Sequence, residues 1–172
     1  EISLNENIIN IALKNKPNFI CIVPEKRKEV TTEGGLNLLK NLNKIKKTIQ
    51  RFKEKKIRTS LFINPNIKDI KIAKELKTDC IELHTGKISD LVKRKKSYSN
   101  EFKKIKRCSE LANKIGLEVH AGHGLDYKTT KILSNLREIK EFNIGHFIIG
   151  ESLVYGLNNI IKKFKKISNK KQ

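Results

Sequence analysis

All four histidines of this chain lie in short apolar segments next to small residues. His120 and His123 stand in L-E-V-H-A-G-H-G-L, residues 117–125. His84 closes C-I-E-L-H-T-G, and His146 follows Gly145 in F-N-I-G-H-F-I-I-G. Leu117, Val119 and Ala121 read as a short buried strand, and residues 122–124 as the loop leaving it. None of the four histidines falls on a predicted helix. Imidazoles change charge near neutral pH, so a group of them at strand ends suits proton transfer. Glu82, flanked by Ile81 and Leu83, points to the opposite face from them and adds a carboxylate to the set. Gly124 and Gly145 are small enough for backbone N–H groups to approach an anion at a loop end. A metal is not expected. His120-x-x-His123 does not have the spacing of a helical ligand pair, and no cysteine or acidic pair completes a recognisable site.

These residues need elements to position them. Ser3 and Glu6 have the spacing of a capping box, and Ile8, Ile9, Ala12 and Leu13 continue at helical intervals until Pro17. Residues 19–23 form a continuous apolar run, as in a strand covered on both faces. A polar loop, V-P-E-K-R-K-E-V-T-T-E-G-G-L, follows. Leu38, Leu42, Ile45, Ile49 and Phe52 mark an amphipathic helix with a lysine-rich outer face. Residues 59–63 read as a strand, Ile67, Ile70, Ala73 and Leu76 as a short helix, and residues 80–83 as a third strand. The polar stretch 87–100 reads as a surface loop. Phe102, Ile105, Cys108, Leu111 and Ile115 make a helix closed by Gly116. The strand at 117–121 is followed by a helix around Ile132, Leu133 and Leu136. A last strand is expected at 144–149, then a helix through Leu153, Leu157, Ile160, Phe164 and Ile167, and a frayed basic tail at 168–172.

At 172 residues, with 37% hydrophobic content, the chain is long enough for one domain with one core. No linker or repeat divides it, so 1–172 reads as a single domain. The net charge of +20 comes mainly from lysines. They recur on the polar faces of nearly every predicted helix, as in Lys44, Lys46, Lys47, Lys53, Lys103, Lys104 and Lys106. That spread fits a solvated basic surface better than a nucleic-acid stripe, and nucleic acid is not an expected partner. Cys21, Cys80 and Cys108 have no C-x-x-C spacing, and two of them sit in strand-like runs as small buried hydrophobes. A reducing, cytoplasmic setting follows. No run approaches a membrane span and no signal-peptide pattern opens the sequence.

Alternation of short apolar strands with helices argues for α/β with a parallel sheet and helical crossovers. An open doubly wound sheet and a (β/α)8 barrel both satisfy it. Polar chemistry at successive strand ends favours the barrel, whose site lies at the C-terminal face. Five strands are countable, whereas a barrel takes about 200 residues or more. The chain therefore reads as roughly the C-terminal two-thirds of a TIM barrel.

V-P-E-K-R-K-E-V-T-T-E-G-G-L, I-E-L-H-T-G, A-G-H-G-L-D-Y and N-I-G-H-F-I-I-G occur in the order and at about the spacing of the pyridoxine 5′-phosphate synthase family, which the chain resembles along its whole length. The resemblance implies a (β/α)8 barrel, typically an octamer, that uses no cofactor or metal. Such an enzyme condenses 3-amino-2-oxopropyl phosphate with 1-deoxy-D-xylulose 5-phosphate in vitamin B6 biosynthesis. By the same resemblance His123 is a proton donor, Glu1 a proton acceptor and Glu82 the carboxylate stabilising the transition state. Gly124, Gly145 and His146 match positions binding the aminooxopropyl phosphate, and Thr31 matches a contact to the deoxyxylulose phosphate. On the residues alone, Glu82 also fits a carboxylate satisfied by a barrel neighbour, and Thr31 a cap on the Gly34–Gly35 turn. His84 and His120 read as hydrogen-bonded packing residues. The family's N-x-D-H segment and H-L-R-E-D-R-R-H-like run have no counterpart here and are expected upstream of Glu1. Ile88 replaces a usual tyrosine. A chain beginning at Glu1 would expose a barrel edge and is expected to fold poorly alone and be inactive. The alternatives are an inactive barrel fragment and a basic-surface polyanion-binding protein.

Overall fold

The computed structural model describes residues 1–24 and 34–168. In chain order the elements are α1 (Glu6–Asn15), β1 (Phe19–Ile22), α2 (Leu42–Glu54), β2 (Arg58–Ile63), α3 (Ile67–Glu75), β3 (Cys80–His84), α4 (Gly86–Lys93), α5 (Ser99–Lys114), β4 (Glu118–Gly122), α6 (Tyr127–Leu133), β5 (Ile139–Asn143), α7 (His146–Tyr155) and α8 (Leu157–Ser168). The five strands pair in sequence order, β1-β2-β3-β4-β5, and every pair is parallel. A doubly wound sheet reverses its strand order at a switch point, whereas a barrel wall always advances the same way. The sheet is therefore an arc of a (β/α)8 wall, and it is not closed. Ile2 extends it at the β1 edge: its N–H donates to the Cys21 carbonyl, and its own carbonyl accepts from Val23 N–H, both at 2.9 Å.

Strand alternation gives the sheet two unlike faces. One carries Ile20, Ile22, Leu61, Ile63, Ile81, Leu83, Val119 and Ala121, all buried. They share a single core with Ile45, Ile49 and Phe52 of α2, Ile70 and Ala73 of α3, and Ile105 and Ala112 of α5. The amphipathic helices cover this face because only their apolar stripes can bury it, at about 1.5–3 kcal/mol per large side chain. The other face carries Cys21, Ser60, Cys80, Glu82, His84, His120 and Asn143, and it is here that the chemistry collects. Cys21, Cys80 and Cys108 are all free thiols and buried.

Several local expectations are corrected. Stretch 87–100 is not a loop, since α4 occupies its first half and buries Ile88 and Ser89. Ile88, Leu91 and Val92 have helical spacing, which the lysine run after them obscured. The last strand lies at Ile139–Asn143 rather than 144–149. The apolar F-I-I run belongs to α7, and His146 is that helix's first residue. A short apolar run does not distinguish strand from helix by periodicity. The final helix is two helices, broken at Gly156, whose φ of +78° suits glycine. Helix α1 is capped by Asn5, which accepts from Asn7 N–H at 3.0 Å, two residues later than the Ser3 box implies. Ser168 closes α8, and the rest of the basic tail, 169–172, lies outside the described residues.

Candidate functional site

Glu82 sits in the middle of β3 and is 3% exposed. Its Oε2 accepts from the Asn143 side-chain amide at 2.7 Å and from the Cys21 thiol at 3.5 Å. Its Oε1 lies over Gly122, where an added Cβ would sit 1.8 Å from that oxygen. Burial pushes the Glu82 carboxyl above its ordinary range, the bonds from Asn143 and Cys21 pull it back by favouring the carboxylate, and the charge of Glu1 pushes it up again. Cys21 is driven far up by burial and by Glu82, so it stays a thiol and a donor. The carboxylate thus has one oxygen held by two donors and the other without one among the described residues, and it does have the barrel neighbour anticipated as an alternative. Sequence reasoning missed Asn143, Cys21 and Gly122. The N-I-G-H and A-G-H-G motifs contained two of them without showing which way they faced.

His123 follows β4 in a loop where it and Gly124 both adopt positive φ, +78° and +75°. A left-handed backbone is uncommon for a residue with a Cβ and collects at functional sites. Its ring stacks on His84, with centroids 4.7 Å apart and planes at 25°. Phe62 stands edge-on to His84 at 5.3 Å. Burial, then the charge of His123, lowers His84 to about 4 against a smaller opposing effect of Glu101, so His84 is neutral at pH 7. His84 was expected to be a hydrogen-bonded packing residue. Instead its buried Nε2 has no hydrogen-bond partner among the described residues, and its ring packs on His123.

His120 does pair as expected. Its Nε2 shares a 2.8 Å hydrogen bond with Glu118, and Glu141 approaches Nδ1 at 3.9 Å. Arg58 Nη2 lies 3.1 Å from both Glu118 Oε2 and Cys80 Sγ. The His120 bond, then Arg58, holds Glu118 below the usual carboxylate range. Cys80, Glu118 and His120 are the one trio of metal-type donors gathered together among the described residues. The guanidinium already supplies its positive charge, and burial pushes the Cys80 thiol up to about 12. This layer at the N-terminal end of the strands was also invisible in the sequence, because its members come from β2, β3 and β4.

Glu1 is exposed beside the β1 edge, near enough for its charge to raise both Cys21 and Glu82. Gly145 caps α7 without a side-chain bond, and His146 opens the helix; both are exposed, just past the end of β5. Free first-turn N–H groups there can receive an anion. Thr31 lies outside the described residues. The described residues resume at Gly34, and the next residue, Gly35, donates its N–H to Asn64 Oδ1 at 2.9 Å, while a Cβ added to it would meet the Ile63–Asn64 backbone at 2.4 Å. Glu82 thus lies at the middle of a strand, while His123 and Gly124 follow the C-terminal end of β4 and Gly145 and His146 that of β5. Among the described residues no helix is long and apolar enough to cross a membrane.

Curated relatives share this arrangement of sequence. The chain is 73% identical to the pyridoxine 5'-phosphate synthase of Pelagibacter ubique (strain HTCC1062) over 170 residues, 99% of this chain and 71% of that protein. It is 41% identical to the Wolbachia sp. subsp. Drosophila simulans (strain wRi) protein of the same name, over 96% of this chain and 69% of that one. For the Rhodopseudomonas palustris (strain BisB18) protein, also so named, the figures are 42%, 96% and 66%. The profile of the family described as "Pyridoxal phosphate biosynthesis protein PdxJ" matches residues 1–170. With that match and a parallel sheet wound in strand order, the chain belongs to the PdxJ family.

Proposed function

We propose that this protein acts as a pyridoxine 5′-phosphate synthase, condensing 3-amino-2-oxopropyl phosphate with 1-deoxy-D-xylulose 5-phosphate and releasing phosphate and water. One observation carries the reading beyond family membership. A buried carboxylate, held at one oxygen by Asn143 and Cys21, lies on the strand beside the one that leads to His123, whose left-handed backbone stands between Gly122 and Gly124. Ring closure passes through imine and enol states and needs protons given and taken near neutral pH. His123 is the proton donor and Glu1 the acceptor. Glu82 stabilises cationic imine states through Oε1. Gly124, Gly145 and His146 bind the aminooxopropyl phosphate, and Thr31 the deoxyxylulose phosphate. The chemistry is protonic and calls on no cofactor or metal.

The protein works as a single barrel domain in a homo-oligomer, an octamer by resemblance, in the cytoplasm. The test is product formation from the two phosphorylated substrates, followed chromatographically with protein made from its native gene. His123→Ala should abolish product while the circular dichroism spectrum is unchanged. Undiminished turnover in that variant would remove His123 from the mechanism.

A further inference from the structure

We propose that His84, Thr85 and Gly86 form a positioning device for His123, in which Thr85 fixes the backbone and His84 the ring. The functional half of this inference rests on the role given above to His123; the geometric half does not. Thr85 is fully buried between the end of β3 and the start of α4. Its N–H donates to the Gly122 carbonyl at 2.8 Å, and its hydroxyl is shared between the carbonyls of Gly122 and His123, each at 2.8 Å. Thr85 is also the N-cap residue of α4, yet its side chain makes no cap bond. A threonine there ordinarily accepts from a first-turn N–H, worth about 1 kcal/mol. Here the hydroxyl turns the other way and ties down the neighbouring loop. What it ties is the left-handed residue His123, φ +78°, a conformation costing on the order of 1–3 kcal/mol that persists only where surrounding contacts determine it.

The ring is held by the flanking residues of the same segment. A Cβ on Gly86 would stand 2.8 Å from His84 Cε1 and 2.9 Å from His123 Cδ2, so the two stacked rings fill the space that glycine leaves. Among the described residues His84 makes no hydrogen bond through its buried Nε2, and what it offers His123 is a ring face. Because burial keeps it uncharged at neutral pH, that face does not compete with His123 for a proton. Thr85 and Gly86 are positioning residues: they act on the reaction only through His123.

The experiment compares Thr85→Val, Thr85→Ser and Gly86→Ala by imidazole 1H–13C NMR and by steady-state kinetics. In the native protein the His123 ring protons should be displaced by the ring current of His84. Thr85→Val and Gly86→Ala should move them toward free-histidine positions and lower kcat about 10- to 100-fold, with KM changed less than about twofold. Thr85→Ser keeps the hydroxyl and should restore both readouts. If Thr85→Val does not fold, Gly86→Ala decides alone. The inference is overturned if Thr85→Val or Gly86→Ala leaves the His123 signals and kcat unchanged, or if Thr85→Ser falls as far as Thr85→Val. Displaced signals in a protein that makes no product would uphold the positioning device and sink the synthase reading instead.

Discussion

The side-chain amide of Asn143 on β5 reaches Glu82 on β3 at 2.7 Å, across Gly122 on the strand between them. Two strands that do not pair are thus joined through their side chains because the third carries no Cβ in the way. The bond favours ionised Glu82 against its burial. Asn143→Ala should therefore raise the Glu82 carboxyl further. The acid limb of the kcat/KM profile should move to higher pH and kcat should fall about tenfold, the equivalent of one charge-assisted hydrogen bond. An unmoved acid limb would show that Asn143 does not tune Glu82.

Gly122→Ala places a methyl 1.8 Å from Glu82 Oε1 and 3.2 Å from Asn143 Cβ. Either the carboxylate swings off Asn143 or the strand shifts. Overpacking of this kind costs about 1–3 kcal/mol. Thermal unfolding should show the loss, and the variant should be inactive even where it is folded.

Glu82→Gln separates stability from function. Because the folded-state carboxyl is raised, mainly by burial, Glu82 favours the fold while protonated and loses that contribution as pH rises through its folded value. A neutral glutamine can still accept from Asn143. At pH 7 the variant should melt higher by about 2–4 °C, as for a change near 1 kcal/mol, while product formation is lost. A lower melting point would mean that the ion pays for itself.

His84 gives a pH signature of the opposite kind. A histidine lowered from 6.5 to about 4 leaves the unfolded chain holding more protons between those values. Its contribution is complete above pH 6.5 and drains away as pH falls toward 4, in total about 2 kcal/mol after allowance for solvent. His84→Phe keeps a ring against His123 without a titrating nitrogen. Chemical denaturation of both proteins from pH 7 to 4 should show the native protein losing that amount relative to the variant. Parallel curves would place the titration elsewhere.

Much of this organisation was legible in the sequence, and the parts that were not share a cause. Alternation placed Glu82 on the face opposite Ile81 and Leu83, and the strand end carrying His123 and Gly124 was found from an apolar run closed by glycine, whereas Gly145 was placed inside a strand expected at 144–149 and instead caps α7. Those signals are local. The partners of Glu82 are not: Cys21 and Asn143 each stand 61 residues away, and only the register of the sheet brings them to one oxygen. The same applies to Arg58, Cys80 and Glu118. His84 was misjudged because its stack on His123 depends on a positive φ that no residue type announces. The errors in α4, α7 and β5 come from short apolar runs, in which composition outweighed period.

The strand order has a consequence for how the chain reaches its fold. Among the described residues every strand pairs with the next one along the sequence, so none of these four pairings waits on a distant segment. Loop-closure entropy is then collected in small instalments, and contact order stays low for a parallel sheet. The sheet can grow by adding one strand-and-helix unit to the edge of the last. In that sequence of events β3 and β4 come together before β5 docks, so the histidine stack is assembled earlier than the amide bond that restrains Glu82.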